Sequence, residues 1–395
     1  MGAGLATLLV RPNLRAFAGP SSGKRVVVVV MQRGAVDGLA MIPPHGDPEL
    51  HKLRPTVAAK TPIDLDGHFG LHAGLAPLVP HWKAKRLAIV PAVGLVGATR
   101  SHFEAQDLLE QGGVASDSGW ANRWLAKRDH IGDATAIAVG QTLPRALAGT
   151  SPALVVERTG EIGIARKAQP ERREQLLEAF GDLYASGTDP FSITARRALA
   201  SAANVEAALA KQPAPAEVKG PVGQALMTAA RLIEADLGAE LIVVDTGGWD
   251  THVNEAGRLD RELGQLGTAI GAFADALGDR MADVTLVTIS EFGRTVKENG
   301  TGGTDHGTAT MSLVLGGAVD GGKVCGTFPG LADDQRFEGR DLAITTDSRD
   351  LLAEVLAVDE PGLPRRGSAA GGQRGVIDDA TIFPNHERKK LGLFR

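Results

Sequence analysis

The sequence predicts an α/β protein with a mostly parallel central sheet and helices on both faces. Three observations predict it. Five apolar runs are long enough for strands and carry no polar alternation, as strands buried on both faces require. Amphipathic helical stretches lie between them, so strand alternates with helix along the chain. Several of the runs end in glycine-containing loops rich in Asp, Glu, His and Ser, where open α/β sheets bind their ligands.

Taken in order, VVVVVM (26–31) opens into QRGAVDGL, which carries Asp37. LAIVPAV (87–93) leads through a glycine-containing turn to RSHFEAQD, where Ser101 starts a helix and Glu104, three residues on, completes a capping-box pattern. The third run, in AELIVVDTGGWDTH, breaks at Gly247-Gly248. The fourth, in DVTLVTISEFGRT, ends at Ser290 and Glu291, and the fifth, ATMSLVLGG, follows KENGTGGTDHG. Helical patterns cover roughly 104–112, 171–185, 190–210, 221–237 and 258–279. The Ala-, Arg- and Glu-rich stretch 157–220 reads as a helical insertion within one domain spanning 24–360, and 361–395 reads as a loose surface tail. Residues 1–23 contain a short apolar run and a small-residue Ala16-Phe17-Ala18 pattern, so they read as an export signal lacking its basic start. That reading places the mature protein in the periplasm or outside the cell, although a single cysteine suits the cytoplasm equally well.

Composition narrows the function. The chain has 395 residues and a formal net charge of -5, which provides no basic footprint for nucleic acid. No stretch approaches the ~18 apolar residues of a membrane span. One cysteine, Cys325, excludes an internal disulfide framework and any multi-thiolate zinc site. A metal site must then draw on carboxylates and imidazoles. No G-x-S-x-G elbow occurs, and GAVDGGKV (317–324) departs from the phosphate-binding loop pattern at Val324.

The polar residues at the strand ends form one set. Asp37, Asp250, His252, Glu291, Asp305 and His306 make a mixed carboxylate–imidazole collection suited to a divalent metal, Mg, Mn or Zn. Ser101, flanked by Arg100 and with Arg294 on another loop, is placed to meet an anionic ester at a helix start. All of these are expected at one sheet edge. Adjacent His102 is a poor base for Ser101, and the other histidines read as surface or packing residues.

RGAVDGL, RSHFEAQD, DTGGWDTH and SEFGRTVKENGTGGTDHG together resemble the bacterial family known as domain of unknown function 1501, over about Val26 to Leu331. The family is grouped with the alkaline-phosphatase-like superfamily and often carries twin-arginine export signals. The resemblance implies a sulfatase-like sheet bearing a metal centre. By position, Asp37, Asp250, His252, Glu291 and His306 fall at metal-ligand places and Ser101 at the nucleophile. Phe292 stands where the superfamily has a histidine, and the Asp250–His252 spacing is tighter than usual. With carboxylates then outnumbering imidazoles, the metal preference is expected to shift from zinc towards Mg or Mn.

These readings converge on an exported metal-dependent hydrolase of phosphate or sulfate esters, acting on a small molecule with Ser101 as nucleophile. The alternative is an exported binding or assembly protein that keeps the fold with a degenerate site.

Overall fold

The computed structural model describes residues 25–128, 132, 134–160, 162, 169–356 and 379–394. The export-like segment 1–23 lies outside the described residues.

Nine strands form the central sheet: β1 (Val26–Gln32), β2 (Leu87–Gly94), β3 (Ala136–Val139), β4 (Leu154–Val156), β5 (Leu241–Thr246), β6 (Val284–Ile289), β7 (Thr310–Gly316), β8 (Lys323–Val324) and β9 (Thr346–Asp347). Their order is β8-β2-β7-β6-β1-β5-β3-β4, with β9 beside the end of β2. All pairings are parallel except those of β7, which runs against both β2 and β6. The five runs read from the sequence are β1, β2, β5, β6 and β7. The short strands β3 and β4 were not anticipated, and neither was the reversal of β7.

Alternation along β1 explains why its residues are all apolar. Val26, Val28 and Val30 pack into a core with the helices Pro190–Ala210, Pro221–Glu234 and Glu255–Leu277. Val27, Val29 and Met31 pack on the opposite face with the helices His102–Glu110, Trp120–Leu125 and Ser348–Leu356. A polar residue on either face of β1 would be buried without a partner, so the pattern of a half-exposed strand is excluded.

Two expectations need correction. Ser101 does precede the helix His102–Glu110, but its side chain makes no capping bond. Glu104 accepts from the Thr99 hydroxyl instead, at 2.9 Å, so no capping box forms. The stretch read as a loose tail also packs back where it is described. Phe383 and Leu393 are fully buried, and the Glu354 carboxylate accepts from the backbone N–H of Leu391 and Leu393.

Candidate metal centre

The carboxyl ends of β1, β5 and β6 share one edge of the sheet. Because β7 runs the other way, the loop before it starts at that same edge, which brings Asp305 and His306 to the loops after β1, β5 and β6. Two glycines allow the loops to close. Gly34 takes φ +112°, and a Cβ there would stand 2.9 Å from the Asp250 backbone nitrogen. A Cβ on Gly303 would meet the His252 carbonyl at 2.3 Å.

Three imidazoles converge on one carboxylate oxygen. Asp250 Oδ1 lies 3.0 Å from His252 Nε2, 3.4 Å from His306 Nε2 and 3.6 Å from His102 Nε2. Each ring is oriented through its other nitrogen. His102 Nδ1 meets Glu291 Oε1 at 2.8 Å, His252 Nδ1 meets Asp305 Oδ1 at 3.1 Å, and His306 Nδ1 meets the Arg100 carbonyl at 2.8 Å. A carbonyl or carboxylate partner takes an N–H, so in each neutral ring Nδ1 carries the proton and Nε2 the lone pair. The Nε2 atoms of His252 and His306 are 3.0 Å apart, two lone pairs facing each other. His102 Nε2 is buried with no hydrogen-bond partner.

Such a cluster is unfavourable unless a cation sits among the lone pairs. A proton is disfavoured at His306, where burial first, and then the positive charges nearby, lower the imidazole below its ordinary value. A divalent metal fits. The donor atoms of His102, Asp250 and His306 all lie within 4.8 Å of one another, and neutral imidazoles whose second nitrogen is hydrogen-bonded are the usual metal-binding form. Donors about 2.0–2.2 Å from one tetrahedral ion stand roughly 3.3 Å apart, close to the spacings here.

Asp250 is kept ionised. Burial pushes its carboxyl up, but Arg294, at 2.8 Å from Oδ1, and the nearby histidines hold it below the usual range. Arg294 is itself fully buried, and its other nitrogens donate to the carbonyl and hydroxyl of Thr304. Its guanidinium therefore positions Asp250 and does not face an incoming anion. Arg100 is similarly engaged with Asp341 and Glu338, both at 2.7 Å.

The structure thus separates the residues singled out from sequence. Asp250, His252 and His306 meet at the centre. Asp305 and Glu291 touch it through histidines. Glu291 is buried, and its Oε1 also accepts from Gly34 N and Gln106 Nε2, so it is fully occupied as an acceptor. Asp37 lies at the same edge but outside the cluster, since it caps the helix Gly38–Met41 and pairs with buried Arg54 at 2.6 Å. Behind it, burial first and then Asp37 raise Glu255 to about 9, so Glu255 stays protonated. Ser101 sits between Arg100, whose carbonyl holds His306, and His102.

His102 was missed as a donor. It stacks on Phe292, ring centroids 5.0 Å apart, and brings a third imidazole to Asp250 from the helix His102–Glu110. Three imidazoles then face one carboxylate, one imidazole more than the sequence alone suggests. A signal for it did exist. His102 and Gln106 are four apart on a helix, hence on one face, and both reach Glu291.

No curated protein matches the sequence. The chain is similar to the zinc complex of the C-terminal periplasmic domain of EcEptC from Escherichia coli, at 11% identity and a TM-score of 0.33, with 78% of this chain and 77% of that one covered. It is similar to a protein in the alkaline phosphatase superfamily from Vibrio parahaemolyticus at 10% identity and a TM-score of 0.36, covering 78% and 65% of the two chains. A 2-O GAG sulfatase aligns at 10% identity and a TM-score of 0.36, covering 93% and 76%. The model of the family described as "Protein of unknown function (DUF1501)" matches residues 91–358, well over half of the chain, and the protein belongs to that family.

Proposed function

We propose that the protein is a metal-dependent hydrolase of phosphate or sulfate esters. Its divalent ion is held by His102, Asp250, His252 and His306, and Ser101 serves as nucleophile. The observation that carries this reading is the convergence of three Nε2 lone pairs on Asp250 Oδ1. An imidazole-rich donor set favours zinc or a similar borderline ion over Mg. When bound, such an ion supplies Lewis-acid charge to the ester's phosphoryl or sulfuryl oxygens. The protein's own contribution is orientation. Glu291, Asp305 and the Arg100 carbonyl fix the three tautomers, and Arg294 keeps Asp250 ionised. The Ser101 hydroxyl is not used to cap its helix, which leaves it available to attack.

The test is metal analysis of the purified protein combined with turnover of aryl phosphate and aryl sulfate esters. Wild type should bind about one ion and turn over one ester class, and Ser101→Ala should keep the ion and lose turnover. Equal activity in wild type and Ser101→Ala would refute the nucleophile assignment.

One observation favours the second reading, a binding or assembly protein without turnover. Both arginines expected to neutralise the ester are already paired with carboxylates of the protein, Arg294 with Asp250 and Arg100 with Asp341 and Glu338. Metal bound in both proteins with turnover in neither would support it. Export remains part of the proposal, since Ala16-Phe17-Ala18 fits a cleavage site. Among the described residues no helix is long and apolar enough to cross a membrane.

A further inference from the structure

Beside the metal centre, at the same sheet edge, lies a surface cleft of about 280 Å³. Arg33 after β1, Asp245 at the end of β5 and Arg145 in the loop beyond β3 form its walls, with Phe103, Gln106 and Asp107 from the helix His102–Glu110. The two sites share a wall. Gln106 Oε1 accepts from Arg33 Nη1 at 3.2 Å on the cleft side, while Gln106 Nε2 donates to Glu291 Oε1 at 2.9 Å on the metal side. Phe103 follows His102 directly, and its ring is 87% exposed.

The charges exclude several ligands. Arg33 is already neutralised by Glu110 at 2.7 Å and Asp245 at 2.9 Å. Carboxylates outnumber guanidiniums around the cleft, so a second phosphate, a sulfate or a polycarboxylate would meet net repulsion. The walls are mainly polar, so a purely apolar group would strand their donors and acceptors. A neutral group that both donates and accepts hydrogen bonds and has one face of C–H groups matches these walls, which offer acceptors and donors side by side. Asp107 and the second oxygen of Asp245 offer acceptors, and Arg145 and Arg33 offer donors. The negative face of the Phe103 ring suits polarised C–H bonds. The volume sits just below the ~300–1,000 Å³ of typical ligand pockets, which suits one ring and not a chain of them.

We propose that this cleft binds a neutral sugar ring, the alcohol portion of the ester presented to the metal centre. The link to ester chemistry rests on the hydrolase reading above, whereas ring binding itself does not.

The test uses the metal-loaded protein and two independent readouts. Calorimetric titration with free glucose, galactose, mannose and N-acetylglucosamine measures the cleft, and aryl ester turnover measures the centre. At least one sugar should bind saturably. Phe103→Ala and Asp107→Asn should each weaken that sugar about tenfold, a loss of roughly 1.4 kcal/mol. Both side chains are exposed and contribute nothing to the core, so folding should be unaffected. Sugar binding without ester turnover would uphold the cleft and sink the hydrolase. Turnover with no sugar binding, or with binding equal in wild type and both variants, would overturn the cleft assignment.

Discussion

Glu291→Gln tests the division of labour at the metal centre. As the sequence reads, Glu291 is a metal ligand, whereas in the structure its Oε1 accepts from His102 Nδ1, Gln106 Nε2 and Gly34 N. Glutamine keeps the shape and one carbonyl acceptor but removes the charge that fixes the His102 tautomer. Losing a partner that orients a metal-bound histidine typically costs about 10–100-fold in metal affinity, or roughly 1.4–2.7 kcal/mol. Retention of the carbonyl places Glu291→Gln near the low end, about tenfold. His102→Ala removes a donor outright and should cost more than about 100-fold. Zinc affinity is read by competition against a chromophoric chelator, with circular dichroism confirming that each variant is folded. A loss in Glu291→Gln as large as in His102→Ala would make Glu291 a ligand. No loss in either folded variant would mean that the histidine cluster does not hold a metal.

Other predictions follow from the same geometry. Asp37→Asn removes the carboxylate paired with buried Arg54, but Glu255, no longer held protonated by Asp37, can ionise beside the same guanidinium. Urea unfolding should therefore show a loss smaller than the ~3–5 kcal/mol of an unpaired buried charge, with metal stoichiometry unchanged because Asp37 stands outside the cluster. Phe383→Ala should cost about 3–5 kcal/mol, since Phe383 is fully buried, and a negligible effect would restore the loose-tail reading of 379–394. His72 is held below the ordinary imidazole value, first by burial and against the pull of Asp260, and its Nδ1 accepts from Gly74 N. The unfolded chain therefore takes up this proton first, so stability should fall as pH drops from about 6.5 towards the depressed folded value and level off below it. His72→Gln should flatten that slope, and an unchanged slope would assign the acid sensitivity elsewhere.

Legibility in the sequence followed how far each feature depends on local pattern. β1, β2, β5 and β6 were readable because burial on both faces demands an unbroken apolar run. β3 and β4, with AIAV and LVV, are too short to distinguish from any other buried segment. The direction of β7 was not readable, because an apolar run carries no sign for parallel or antiparallel pairing. That reversal nonetheless explains why residues preceding a strand join residues following others: a strand running backwards starts where its neighbours end.

Residue type placed Asp250, His252 and His306 correctly at the edge, but it did not reveal which atoms face the centre. Glu291 and Asp305 have the chemistry of ligands, and in the structure one oxygen of each is turned to a histidine Nδ1, that of His102 and of His252. Counting imidazoles along the chain leaves out His102, which joins the others only in space. His102 starts a helix beside β2, more than a hundred residues from the other donors, and only packing brings its Nε2 to 3.6 Å from Asp250 Oδ1. Phe292 then has a role of its own: its ring lies against both His102 and His306, centroids 5.0 and 5.2 Å away. A smaller side chain there would leave two of the three imidazoles free to tilt, so the centre depends on this apolar wall as well as on its polar partners.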